Sequence, residues 1–336
     1  MRFEGPGTIP GMPAIGLLGD VMLGRSVGDT LREEPGAELW SEEVRSLCAS
    51  LDLVICNLEC CVSERGERTR RIPGKPFFFR APPSAVAALR AIDVRAVSLA
   101  NNHALDYGEE GLADTLGWLA DGGIATAGAG QGAEAARRPV VVEAGGLRVG
   151  LLCVSDHPRE YAAGPGRYGI AHADLERGVP DWLLDELARL RERCDLTVVF
   201  PHWGPNMSAS PAPWQRQAAA ALQHAAATVV SGHSAHLFHG IAWNEGGPAL
   251  FDLGDALDDY RVDPVLRNDL GVLAIWRPDA GNEELELVGL KLEFCHTGLA
   301  RDEDAEWIGV RLESACAELG TRVERVAENR FRIGPA

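Results

Sequence analysis

Lysine is nearly missing from this chain. Only Lys75 and Lys291 are lysines among 32 basic side chains, and 49 acidic residues leave a formal net charge of −17. That excess excludes bulk attraction to nucleic acid or to an anionic membrane, because the protein's own field repels polyanions. A polyanionic substrate therefore needs a locally basic patch. Also missing is any CxxC pair. The eight cysteines are scattered, several in apolar runs such as Cys153 in VGLLCVS, and the adjacent Cys60 and Cys61 make a poor disulfide framework. The pattern predicts buried, reduced thiols and a cytoplasmic setting. The first twenty residues hold no apolar leader region, since AIGLL is too short. No run approaches the ~18 apolar residues of a membrane span. The expectation is a soluble, unanchored chain.

What is present suits an ordinary globular protein: 336 residues, 46% hydrophobic and 24% charged, enough for one large α/β domain or two smaller ones. Short apolar runs alternate with helical periodicity. Strands are expected over 14–19, 51–59, 94–100, 196–200, 228–230, 248–254, 270–276 and 285–295, with a hairpin over 138–155. Helices are expected over 84–92, 111–123, 182–193, 213–227 and 303–320, the last stopped by Gly320. This alternation reads as one α/β domain over 14–300. A flexible start covers 1–13, and a C-terminal helix and tail over 301–336 pack on the domain.

The polar outliers concentrate at the ends of five strands. Asp20 closes the first, Asn57 and Glu59 the second, and Asn101, Asn102 and His103 the third. His202 follows the strand at 196–200, and His233 and His236 follow the one at 228–230. In α/β sheets the carboxyl edge is where sites assemble. Each residue alone is an ordinary turn or capping residue; five strand ends together point to a site. Asp, Glu, Asn and His suit a borderline divalent ion such as Mn, Zn or Fe. His157, His172, His224, His239 and His296 lack such placement and are read as structural or surface residues. A second feature is ERGERTRRIPGKPFFFR at 64–80. Arg65, Arg68, Arg70, Arg71, Lys75 and Arg80 read either as a solvated loop or as a clamp for an anionic substrate. Phe77, Phe78 and Phe79 are expected to anchor this loop on the body.

The motifs GDVMLGR (19–25), NLEC (57–60), GKPFFFRAPPS (74–84), VSLANNHALDYG (97–108), GIATAGAG (123–130), PHWG (201–204), GHSAH (232–236) and FDLGDALDDY (251–260) occur in this order. In them the chain resembles the CapA-type proteins, named for poly-γ-glutamate capsule synthesis, within the calcineurin-like metallophosphoesterase superfamily. The resemblance implies a four-layer αββα sandwich with one or two divalent ions at the strand ends. It implies metal ligands at Asp20, Asn57 or Glu59, Asn102, His202, His233 and His236, and a catalytic histidine at His103. The superfamily pattern has a histidine two residues after the first aspartate, where this chain has Met22. Its closing histidines are three apart rather than two, and Glu59 replaces a shorter aspartate. The resemblance then implies a single-ion or asymmetric centre.

Three functions follow as expectations. The first is a metal-dependent hydrolase of an anionic small molecule or polymer, a γ-glutamyl amide or a phosphoester, with Asp106 pairing with His103 and Arg25 orienting the substrate. The second is a non-catalytic accessory or binding subunit of polymer synthesis. The third is a soluble tailoring enzyme of small-molecule biosynthesis. A nucleic-acid partner is not expected.

Overall fold

A computed structural model describes residues 13–278 and 284–336; most of the expected flexible start, residues 1–12, lies outside the described residues. Two sheets stack face to face. The larger runs Thr321–Ala327, Arg330–Pro335, Glu284–Glu293, Leu270–Arg277, Ile15–Val21, Leu53–Leu58, Val94–Ser98, Ala125–Ala127. The smaller runs Ile241–Asn244, Gly247–Leu250, Val229–Ser231, Leu196–His202, Leu147–Ser155, Val140–Ala144. The central strands of each are parallel, so their carboxyl ends open toward the same side of the sheet.

Alternation along the strands makes the layers. Ile15, Leu17 and Ile55 of the large sheet share one core with Leu151, Val198 and Phe200 of the small one. The intervening Leu18, Val54 and Val97 point the other way, into a core with Val27 and Leu31 of helix Arg25–Glu33 and Leu112 and Leu119 of helix Gly108–Asp121. On the far side Leu152, Val199 and Val230 meet Leu183 and Leu187 of helix Asp181–Arg191 and Leu222 of helix Pro213–His224. Side chains of period two that are apolar on both faces require cover on both faces. The result is helices, sheet, sheet, helices: the expected αββα sandwich.

Helix Asp302–Ala317 places Ile308, Leu312 and Cys316 in the inter-sheet core. Beyond it the chain is not a plain tail. Thr321–Ala327 and Arg330–Pro335 form a hairpin that extends the large sheet through Glu284–Glu293. The strands also run further than their apolar content suggests. Asp20, Asn57 and His202 lie inside strands rather than just past them, whereas the expected strand at 248–254 ends at Leu250.

One close approach shapes the site. A Cβ on Gly19 would sit 1.9 Å from Gly254 O, and Gly254 itself has φ +72. Only glycine permits this contact, and it lets Asp255–Leu257 pair with the end of the first strand, Asp20 beside Asp255.

Candidate metal centre

Asp20 is fully buried and is reached from both sheets. Its neighbour in register, Asn57, donates Nδ2 to Asp20 Oδ1 at 2.7 Å. His233 Nδ1 lies 3.2 Å from Asp20 Oδ1, and His236 Nδ1 lies 3.5 Å from Oδ2. His202 Nδ1 is 2.9 Å from His233 Nδ1. His236 Nδ1 is also 2.8 Å from Asp255 Oδ1. Ser234 at φ 118 and His236 at φ 59 put left-handed turns into the closing motif. That backbone absorbs the third residue of the spacing, so both histidines still face Asp20.

Two groups of possible ligands result, each with its donor atoms within 4.8 Å of one another: Asp20, His202 and His233, and Asp20, His236 and Asp255. The donor set fits a divalent ion. Ligand atoms this close together, from imidazole and carboxylate, can converge on one divalent ion. Asp20 Oδ2, Asn102 Oδ1, His202 Nε2, His233 Nε2 and Asp255 Oδ2 are buried with no hydrogen-bond partner, and unpaired buried polar atoms are costly unless something else binds them. The first group, two imidazoles and a carboxylate, suits zinc, iron or manganese; the second is richer in carboxylate.

The electrostatics agree. Burial, then the charge of Asp20, pushes Glu59 well above the usual carboxylate range. Burial, then Asp258 and Asp20, does the same to Asp255. Burial, then the proximity of His233, holds His202 well below the ordinary imidazole value. His236 is raised: burial opposes this, and Glu59 and Asp20 outweigh it. So many carboxylates in one dry pocket repel one another until a cation compensates them.

Beside this centre His103 Nδ1 lies 2.6 Å from Asp106 Oδ2, and its ring stacks on Phe79 with centroids 3.9 Å apart. Burial lowers its pKa against the pull of Asp106. Arg25 pairs with Asp259 at 3.3 Å, is 40% exposed, and lies about 6 Å from the rings of Phe77, Phe79 and Tyr260.

The other expected residues are held within the protein in several ways. Asn57 is held at both ends of its amide: its Oδ1 accepts from Asn101 Nδ2 at 2.9 Å while its Nδ2 donates to Asp20. Glu59 accepts from Tyr260 OH at 3.3 Å and joins neither ligand group. Met22 is fully buried in the apolar core on the helix side. Most cations of 65–80 have partners within the protein. Arg65 pairs with Asp114, and Arg71 with Glu109. Arg80 donates to the carbonyls of Arg65 and Gly66 and covers Tyr107. Arg68 lies over Phe78, and Arg70 is simply exposed. Lys75 turns inward. Of the three phenylalanines only Phe79 is buried; Phe77 is 57% exposed.

Asp255 is absent from the residues expected on sequence grounds, together with its buried neighbours Asp252 and Asp258. The signal was present in FDLGDALDDY, an apolar run that breaks into acids around a glycine. The His157 ring lies 5.0 Å from His202 and its Nδ1 bonds Asp156.

The family model described as Bacterial capsule synthesis protein PGA_cap matches residues 14–260. A probable polyglutamine synthesis accessory protein of Mycobacterium tuberculosis is 32% identical over 311 residues, covering 88% of this chain and 81% of that one. The PGA biosynthesis protein CapA of Bacillus subtilis is 28% identical over 244 residues, covering 72% and 62%. Among solved structures, a hypothetical protein from Thermus thermophilus is 16% identical with a TM-score of 0.42, covering 84% of this chain and 95% of that chain. No helix among the described residues is long and apolar enough to cross a membrane.

Proposed function

The chain belongs to the bacterial capsule synthesis protein family PGA_cap, and from that premise we propose that it is a metal-dependent hydrolase of an anionic substrate. A γ-linked glutamyl amide or polymer is the preferred class, and a phosphoester the other; the names of the relatives favour the first. The observation that carries the reading is Asp20, shared by two groups of buried ligand-type residues in which Asp20 Oδ2, His202 Nε2, His233 Nε2 and Asp255 Oδ2 have no hydrogen-bond partner.

Asp20, His202 and His233 would hold one divalent ion, and Asp20, His236 and Asp255 a second, with Asn102 Oδ1 as a neutral candidate donor. A bound ion supplies an acidified water and a positive charge for the oxyanion that develops during attack. The protein's own groups do the rest. Asp106 fixes His103 with Nδ1 toward the carboxylate, which leaves Nε2 as the nitrogen that exchanges a proton with the leaving group. Phe79 keeps the ring from turning. Arg25, held by Asp259, offers its guanidinium to a substrate carboxylate or phosphate.

The name of the mycobacterial relative, an accessory protein, favours a second reading: a binding subunit that holds the polymer without cleaving it. One experiment separates the two. Purified protein is assayed for metal by elemental analysis, then incubated with γ-linked glutamate oligomers and with bis(p-nitrophenyl) phosphate, each with and without Mn²⁺ or Zn²⁺, alongside His233→Ala. Metal-dependent hydrolysis lost in the variant supports the hydrolase. Oligomer binding without turnover, unaffected by His103→Ala, supports the accessory reading. No bound metal and no metal-dependent turnover overturns the first proposal.

A further inference from the structure

Lys75 is one of two lysines in the chain, and its side chain is 8% exposed in the loop expected to clamp an anion. Its Nζ donates to Asn102 O at 2.7 Å and lies 3.1 Å from Asp106 Oδ1. The Tyr161 ring covers it, with the centroid 5.6 Å from Nζ. Asn102, His103 and Asp106 belong to one tight turn, closed by Asp106 N donating to His103 O at 3.2 Å. A cation from 27 residues upstream therefore grips that turn at both ends.

Asp106 shows why a cation is needed there. Its Oδ2 receives His103 Nδ1 and Phe79 N, each at 2.6 Å, and its Oδ1 receives Tyr161 OH at 3.3 Å in addition to Lys75. The carboxylate is fully buried, and a buried charge without a counter-charge is strongly destabilising. Without the ammonium, Asp106 would keep only neutral donors and a histidine, and the Asn102 carbonyl would lose its donor. Either loss frees the turn to shift.

We propose that Lys75 is a positioning residue: from the 64–80 loop it locks the Asn102–Asp106 turn so that His103 presents one fixed orientation toward the metal centre. The role of His103 in chemistry rests on the hydrolase reading; the lock itself does not. Lys75 then contributes to turnover and not to substrate affinity, the opposite of a clamp.

The test compares Lys75→Met, which keeps the aliphatic length, with Lys75→Arg, which keeps the charge. Two readouts are taken on the full chain. The first is proton NMR of the Zn²⁺-loaded protein, where the downfield Nδ1–H signal of the His103–Asp106 hydrogen bond is identified by its loss in His103→Gln. This signal should be sharp in wild type, broadened or lost in Lys75→Met, and largely recovered in Lys75→Arg. The second is steady-state hydrolysis, where Lys75→Met should lower kcat on the order of tenfold or more with KM nearly unchanged. If Lys75→Met does not fold, Lys75→Gln takes its place. An unaltered His103 signal in the folded variant overturns the proposal, as does a rise in KM with kcat intact. If wild type hydrolyses nothing, the hydrolase reading fails while the NMR readout still decides the lock.

Discussion

Asn57 donates its side-chain amide to Asp20 Oδ1 at 2.7 Å from the matching position of the neighbouring parallel strand. Its own oxygen is held by Asn101 Nδ2 at 2.9 Å, and Asn101 Oδ1 in turn accepts from His103 N at 3.0 Å. A single line of amides thus orients both the shared carboxylate and the turn that carries the histidine. Groups of this kind, one step removed from a metal, typically set its affinity. Asn57→Ala should weaken Zn²⁺ or Mn²⁺ binding about 10–100-fold, measured by competition with a chromogenic chelator. An affinity unchanged by the substitution would show that the Asn57 hydrogen bond does not orient Asp20 for the ion.

Much of this centre was legible because its residues sit at strand ends, and apolar runs that break into Asp, Asn or His are visible without coordinates. Asp255 escaped because its position depends on two glycines rather than on its own strand. Gly19 and Gly254 let the 251–255 segment press against the first strand, and no periodicity records that contact. The pairing of Arg65 and Arg71 was illegible for the converse reason. The run shows its cations, while the partners Asp114 and Glu109 lie on helix Gly108–Asp121, some forty residues on in sequence. The closing hairpin was hidden by its charges. Only Phe331 and Ile333 of Arg330–Pro335 are buried apolar residues, and most of Thr321–Ala327 faces solvent.

The crowding of acids gives a prediction with opposite signs in two states. Asp255 is buried against Asp20 and Asp258, and burial with their charge disfavours its ionised form. Asp255→Asn removes one repelling charge while keeping the shape. Without metal, the variant should be more stable than wild type, since the amide keeps the contact with His236 while the burial of an acid among acids is relieved. With saturating Mn²⁺ the order should reverse, because the variant has lost a carboxylate donor. Thermal melts of chelator-treated and metal-loaded samples check both signs. A variant that is less stable without metal would show that Asp255 is not a repelled charge.

All eight cysteines are free and buried. Burial pushes the thiols of Cys48, Cys61 and Cys153 up to about 12. Thiolate is the reactive form, so neither access nor ionisation favours modification. The native protein should give almost no reaction with Ellman's reagent at pH 8 over minutes, and the denatured chain should titrate all eight thiols. A rapid native reaction of one equivalent would reveal a thiol that the fold exposes. The same inertness should leave metal loading unaffected by reducing agent, since the ligand groups contain only nitrogen and oxygen donors.

His239 supplies a pH dependence that is separate from the metal groups. Its Nε2 donates to Ser208 O at 2.8 Å, and its Nδ1 is buried with no partner. Burial lowers its pKa to about 4; the Ser208 hydrogen bond opposes the shift, and the Arg311 charge adds to it. The folded state therefore holds the neutral ring, and the unfolded chain takes up a proton first as pH falls. The sign follows: this contribution is fully present above about pH 6.5 and is lost as pH drops toward 4, by up to roughly 3 kcal/mol. Urea unfolding of the metal-free protein at pH 7.5, 6.0 and 5.0 should show stability falling through this window. His239→Gln, which cannot titrate, should be less stable at pH 7.5 but lose less on acidification, so that the two curves converge. Parallel curves would show that the ring is already protonated in the fold, or reaches water there.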